Sequence, residues 1–314
     1  MKQRALTIAC AILFTSGVWA QEAAQDTTWK TGGLVAINLS QVSLTNWAAG
    51  GFSSISGNAA LNLFANMKEG KNTWDNTLSL GYGLLKQGDD GDVQKTDDRI
   101  DLSSKYGREA WNPKWYYSAL ANFRTQFTEG LGSEVELSDG STERYVISDL
   151  LAPAYVLASL GLDYKPNDKF TVFISPVTAK FTIVNDDVLA AGGAFGVDPG
   201  VVGYTEEDGF FVVEEGSNSR SEFGGYLKSS YTTDIMENVK FSTMLDLFSN
   251  YENPTYIDVN WDALIGMKVN DYINVTLGTT VLYDHDIKIV DEDGDVGPRT
   301  QFRQIFGIGF AYTL

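Results

Sequence analysis

The chain has 314 residues, 43% hydrophobic and 20% charged, with 31 Gly, 17 Phe, 15 Tyr and 7 Trp, and a formal net charge of −18. Such acidity disfavours nucleic acid, whose phosphates it repels. The one cysteine rules out internal disulfides and cysteine-rich metal centres, and beyond the amino-terminal stretch no apolar run nears the ~20 residues of a membrane helix.

At the amino terminus, Lys2 and Arg4 precede an apolar run from Ala5 to Phe14 that ends in Val18-Trp19-Ala20. This is the pattern of a signal peptide, 1–20, with cleavage expected after Ala20. Cys10 lies inside it, and Thr7-Ile8-Ala9 is a poor match to a lipid-attachment site. Cleavage removes Lys2 and Arg4 and leaves 21 basic against 41 acidic residues, a charge near −20. A short periplasmic segment is expected over 21–30 and one barrel over 31–314.

Strict alternation is the main signal that follows. The pattern predicts strands near 31–41, 53–67, 73–86, 97–107, 114–128, 154–165, 169–176, 221–232, 239–250, 257–269, 272–284 and 301–314. In the third, Trp74, Leu78, Leu80, Tyr82 and Leu84 share one face while Asp75, Thr77 and Ser79 share the other. Runs this long exceed the about 5–6 residues common in soluble sheets and suit a tilted membrane crossing. Aromatics near their ends, including Trp74, Trp115, Phe127, Trp261 and Tyr283, read as interfacial girdles.

Every second connection is short: Glu69-Gly70-Lys71-Asn72, Trp111-Asn112-Pro113, Pro166-Asn167-Asp168, Asp234 to Asn238, and Asn270-Asp271. The others are longer and acidic, which fits short periplasmic turns and long outer loops. The expected fold is therefore all-β: a transmembrane antiparallel up-and-down barrel of about 12 strands, closed so that no edge is left. The count becomes 10 or 14 if the irregular stretch 176–220 is misread, for it can hide a hairpin. That stretch either folds over the mouth, turns inward, or stays a mobile outer loop. The last strand carries Phe302, Phe306, Ile308, Phe310, Tyr312 and Leu314 on one face. It looks like the signal read by the barrel-assembly machinery, with Leu314 where many barrels end in Phe.

One segment goes beyond generic barrel features: Gln41-Val42-Ser43-Leu44-Thr45-Asn46-Trp47-Ala48-Ala49-Gly50-Gly51. With Lys95-Thr96-Asp97-Asp98-Arg99, Arg124-Thr125-Gln126-Phe127, Ser175-Pro176 and Gly193 to Val197, it resembles a Bacteroidota family defined only as a domain of unknown function. The resemblance extends over nearly all the mature chain and implies an outer-membrane barrel, with no substrate or catalytic residues. Physically, Gly50-Gly51 allows a tight reversal, Asn46 can bond its own backbone there, and Trp47 would sit at the outer interface.

No catalytic constellation emerges, and an enzyme is not expected. His285 is the one histidine, and its neighbours Asp284 and Asp286 point to the opposite face of an extended chain. The acidic clusters Asp89-Asp90-Gly91-Asp92, Asp186-Asp187, Glu206-Glu207-Asp208 and Asp291 to Asp295 lack the spacing of a calcium loop, and neither a metal nor a cofactor is expected. The polar faces of the strands instead place Asp75, Arg99, Asp101, Lys105, Arg124, Glu222, Lys228, Lys240, Asp246, Asp262, Lys268 and Arg303 toward the lumen, seven basic and five acidic. Paired, they would plug the bore; hydrated, they would line a narrow pore with a weak local preference for anions. The expected function is a monomeric passive channel for small hydrophilic solutes in the outer membrane of a Gram-negative bacterium, in contact with its lipid. The alternative is a closed, structural barrel whose outer loops bind a partner.

Overall fold

A computed structural model of the chain describes residues 29–44, 52–88, 91–136, 142–205, 209–270, 272–290 and 295–313. The expected signal peptide, the turn motif Asn46, Trp47, Gly50 and Gly51, and the acidic residues Asp89-Asp90, Glu206 to Asp208 and Asp291 to Asp293 lie outside them.

The described chain forms one closed barrel of twelve antiparallel strands. They are β1 (Trp29–Val42), β2 (Ser54–Glu69), β3 (Asn72–Gln87), β4 (Val93–Glu109), β5 (Trp115–Thr125) and β6 (Ala154–Asn167). β7 (Phe170–Ile183), β8 (Ser219–Met236), β9 (Val239–Asn250), β10 (Asp258–Lys268), β11 (Ile273–Tyr283) and β12 (Gln301–Thr313) complete the ring. Each strand pairs with its sequence neighbours, and β12 closes onto β1 with Val35 opposite Tyr312 and Ile37 opposite Phe310. Strand lengths run from 11 to 18 residues. All twelve expected strands are present, though β7 continues through the apparent break at Pro176 to Ile183. A register shift between Gly224 and Tyr226 absorbs the proline without ending the strand, as a bulge allows.

The turns at one end are built on asparagine. Asn112 Oδ1 accepts Lys114 N at 2.9 Å, and Asn167 Oδ1 accepts Lys169 N at 2.9 Å and Phe170 N at 3.0 Å. Asn270 Oδ1 accepts Tyr272 N at 2.9 Å and Ile273 N at 2.8 Å. Each side chain satisfies backbone donors that a tight reversal would otherwise leave open. Both described ends of the barrel, Trp29 and Thr313, lie at this turn end.

The other end carries the long connections. Three fold into small hairpins: Gly130–Glu136 with Thr142–Ser148, Val201–Thr205 with Gly209–Glu214, and Lys288–Val290 with Val296–Pro298. The irregular stretch after β7 thus does hold a hairpin, but outside the barrel wall, and the strand count is unchanged. Its short helix α1 (Asp187–Ala191) is capped by Asp186, whose Oδ1 accepts Leu189 N at 2.8 Å. Ala152, Val184, Ala190 and Val197 pack there into a buried cluster that folds this connection over the mouth.

The outward face is apolar. Phe302, Phe306, Ile308, Phe310 and Tyr312 are all exposed, Phe310 at 70%. Exposure on this scale in a row of large side chains is what lipid contact requires. Outward indoles are satisfied within the wall: Trp74 Nε1 donates to Ser104 Oγ and Trp261 Nε1 to Thr243 Oγ1, both at 2.9 Å. Trp111, Trp115 and Tyr164 stack along the turn end, with centroids 5.4 and 4.7 Å apart, as an interfacial belt would.

Candidate functional site: the barrel interior

Several ion pairs join strands that are not neighbours in the ladder, so they cross the bore. Lys165 Nζ on β6 lies 2.6 Å from Asp75 Oδ2 on β3. Lys180 on β7 lies 2.6 Å from Asp258 at the start of β10, and Arg303 on β12 pairs with Asp97 on β4. These contacts fix which face is interior, and cross-strand register carries that face round the ring. Arg99 lies opposite Gly81, Asp101 opposite Arg124, Lys228 opposite Asp246, and Lys240 opposite Gly266. Lys268 lies opposite Asn274, and Asp262 is in line with Thr280 and Arg303. The twelve charged positions read from the sequence therefore share the interior face, as the register of Lys105 and Glu222 also requires.

The interior is unevenly filled. Toward the turn end, Lys105 Nζ lies 2.7 Å from Asp163 Oδ2 while Lys165 reaches both Asp163, at 3.4 Å, and Asp75. Their ammonium groups also sit over Phe173 and Tyr116, 5.9 and 5.4 Å from the ring centres. Above this network Leu120, Phe173, Tyr226 and Phe248 form a buried core with Leu157 against it. Lys228 Nζ is 3.2 Å from Asp246, which also accepts a hydrogen bond from the Tyr226 hydroxyl. This filled side belongs to β5–β9.

The facing wall, from β10 through β12 to β3, presents small and polar groups. Ala36, Ala60 and Gly81 share one level, and Gly266, Thr276 and Gly307 share another. A Cβ placed on Gly266, two residues from the turn end of β10, would meet nothing within 4 Å, so there is room beside it, whereas a Cβ on Gly81 would fall 2.8 Å from Asp97 Oδ2. Gly309 is different: a Cβ there would fall 2.1 Å from Asn38 Oδ1, and glycine is needed for close approach.

Near the outer end, a cavity of about 480 Å³ lies between the aromatic core and the folded loops. Its lining includes Arg124, Tyr155, Lys180, Asp258, Asp284 and Phe195. Lys180 Nζ lies within 3.4 Å of Glu222, 2.6 Å of Asp258 and 3.2 Å of Asp284, and Arg220 pairs with Glu222 at 3.2 Å and Asp286 at 2.6 Å. Arg99 and Arg124 make no ion pair among the described residues, and the Nε of each is buried without a hydrogen-bond partner. Asp101 Oδ1 instead takes Asn122 Nδ2 at 2.7 Å, and Asp262 Oδ1 takes Thr280 Oγ1 at 2.7 Å.

Sequence reading missed Lys165, Lys180 and Arg220, together with Asp97, Asp163, Asp258, Asp284 and Asp286. These add three cations and five anions, so the basic excess expected from the first twelve disappears. Lys180 lies beyond the expected end of its strand at residue 176, whereas Asp97 stands within the expected strand 97–107 on the same face as Arg99 and alternation alone includes it. Asp163 lies on the same alternating inward face of β6 as Tyr155, Leu157 and Lys165, and the bulge opposite it belongs to β7. His285 stands in a turn rather than on an extended strand, and its neighbours are engaged elsewhere: Asp284 goes to Lys180 and Asp286 to Arg220. The imidazole stacks on Tyr256, with centroids 3.4 Å apart.

A closed ladder, an apolar exterior and a charged, crossed interior define an outer-membrane-type β-barrel. A family model described as "Protein of unknown function (DUF3078)" matches residues 39–131. That span includes Lys95 to Arg99 and Arg124 to Phe127 but not Ser175-Pro176 or Gly193 to Val197. No curated protein matches the chain. Among similar solved structures is the beta domain of the Bordetella autotransporter BrkA, at 12% identity and TM-score 0.34, covering 90% of this chain and 98% of that one. An outer membrane channel from Pseudomonas putida F1 is 12% identical with TM-score 0.37, covering 93% and 100%. The P. putida toluene transporter TodX is 10% identical with TM-score 0.33, covering 92% and 80%.

Proposed function

We propose that the protein is a narrow passive channel for small hydrophilic solutes, seated as a monomer in the outer membrane of a Gram-negative bacterium. The observation that carries this reading is the uneven interior. One wall is packed with aromatic side chains and ion pairs, while the other offers small residues and open space at Gly266. A bore of twelve strands lies between a filled eight-stranded core and an open sixteen-stranded pore. Leaving one side unfilled gives a passage lined by fixed dipoles and charges, sized for small solutes. With interior cations and anions nearly in balance, weak charge selectivity is expected, and the acidic outer loops tilt it toward cations at low salt. Ion conductance of the purified protein in planar bilayers tests the reading.

A second reading has one observation in its favour. The buried cluster of Ala152, Val184, Ala190 and Val197 holds folded chain over the mouth, which suits a closed barrel whose outer loops meet a partner. Under that reading the folded protein would not conduct.

A further inference from the structure

We propose that a groove on the lipid-facing wall of β4–β7 holds one glycerophospholipid, with an acyl chain along the groove and the phosphate on Arg108. The site lies outside the bore and is independent of whether the bore conducts.

The groove follows from the register and from one irregularity. Across the outward face one row reads Tyr106, Ala119, Leu160 and Val177, so a single small residue stands among large ones. Toward the turn end the next row reads Arg108, Tyr117, Leu162 and Ile174. β7 carries an extra residue here: Pro176 and Val177 are both exposed although adjacent in the chain, and the ladder shifts register between Leu160 and Leu162. The buried Ser175 hydroxyl lies 2.8 Å from the Leu160 carbonyl and 2.9 Å from that of Val177. It thus serves backbone acceptors that the bulge would leave open. Ile174 and Pro176 line one side of the groove, Tyr106 and Tyr117 the other, and Ala119 and Leu160 lie between them. The enclosed volume is about 800 Å³. Along β5 the lining runs from Trp115 to Ala119, about 13 Å at the rise of a strand.

At its turn end the groove meets the interfacial belt. Tyr117 packs edge-on against Trp111, with centroids 6.0 Å apart, and Trp111 stacks on Trp115. Arg108, in the same row as Tyr117, is exposed and makes no ion pair among the described residues. Neither carboxylate near it in register is its partner: Glu109 pairs with Lys71 at 3.8 Å, and Glu69 stands two strands away across Asn72. Lys114, in the turn between β4 and β5, adds a second exposed cation.

An acyl chain gains nothing by leaving the bilayer for any apolar wall, because lipid tails are as apolar as the side chains. Selection comes instead from close packing of one chain between fixed ridges and from the phosphate. A guanidinium takes that group with paired, charge-assisted hydrogen bonds, and its long stem lets it reach headgroup depth. Short turns of such barrels face the periplasm, which sets the lipid in the leaflet on that side.

The test is native mass spectrometry of the intact barrel, delipidated in detergent and then offered phosphatidylglycerol or a diacylglycerol with the same chains. Phosphatidylglycerol should give a saturable one-to-one adduct. Diacylglycerol should bind about tenfold more weakly, having no phosphate for Arg108. Arg108→Gln should weaken phosphatidylglycerol by that factor and leave diacylglycerol unchanged. Ala119→Trp, which fills the groove from its floor, should abolish the adduct, while Ile308→Trp, on the lipid face of β12, should keep it. Should Ala119→Trp fail to insert, Arg108→Gln decides alone, since its exposed, unpaired side chain supports no contact within the wall. No saturable adduct, equal binding of the two lipids, an unchanged adduct in Ala119→Trp or Arg108→Gln, or equal loss in Ile308→Trp would overturn the proposal.

Discussion

The Asp98 carboxylate accepts the backbone N–H of Phe127 at 2.7 Å, tying the outer end of β4 to the point where the chain leaves β5. The same group takes Thr128 N at 3.0 Å and Lys95 Nζ at 2.9 Å, and Lys95 reaches the Thr128 carbonyl at 2.8 Å. Two segments singled out together in the sequence, Lys95 to Arg99 and Arg124 to Phe127, thus form one clamp. With the Asp98 side chain only 2% exposed, solvent does little to weaken it.

Replacing Asp98 with Ala should free the connection 126–153 without opening the barrel. The loss is about 2–3 kcal/mol of local stability, the scale of hydrogen bonds to a charged group. Limited proteolysis should cut the variant faster within 130–148 while its unboiled gel migration stays native. Unchanged cleavage kinetics would show that other contacts hold the loop.

The assignment of faces is open to a direct comparison. Phe306 lies outward on β12, 63% exposed, whereas Gly266 faces open space inside. Phe306→Arg should cost about 2–4 kcal/mol if it sits near mid-membrane, and Gly266→Arg should be tolerated. Urea unfolding in lipid vesicles measures both. Gly309 is unsuitable as the interior control, because any side chain there strikes Asn38.

The ionic network near the turns should be strongly coupled. Asp163 is 1% exposed and held by Lys105 and Lys165. Lys105→Met should destabilise by about 3 kcal/mol, since it leaves buried carboxylate short of a partner. Adding Asp163→Leu should recover much of that loss. Strictly additive effects in the same unfolding assay would count against a shared network.

Much of this fold was legible because lipid outside and charge inside impose period two over long strands. The alternation at Trp74 to Leu84 and the Asn-based turns at 112, 167 and 270 placed strands and ends alike. Two kinds of feature escaped. Register shifts opposite Gly224 and Leu160 mark a bulge in β7 around Pro176 and make that strand look shorter. Partners across the bore, such as Lys180 with Asp258 or Lys165 with Asp75, depend on closure, which no local pattern records. The residues lining the interior were readable one by one, but not which of them meet.

Single-channel recording in planar bilayers, comparing the native protein with Gly266→Trp, tests the central claim most directly. Gly266 faces the open side of the bore, away from the packed core, so an indole there should narrow the passage and leave the ladder intact. The channel reading predicts small, weakly selective conductance steps that shrink or vanish in the variant. No conductance from correctly folded native protein, or steps of the same size in Gly266→Trp, would contradict it.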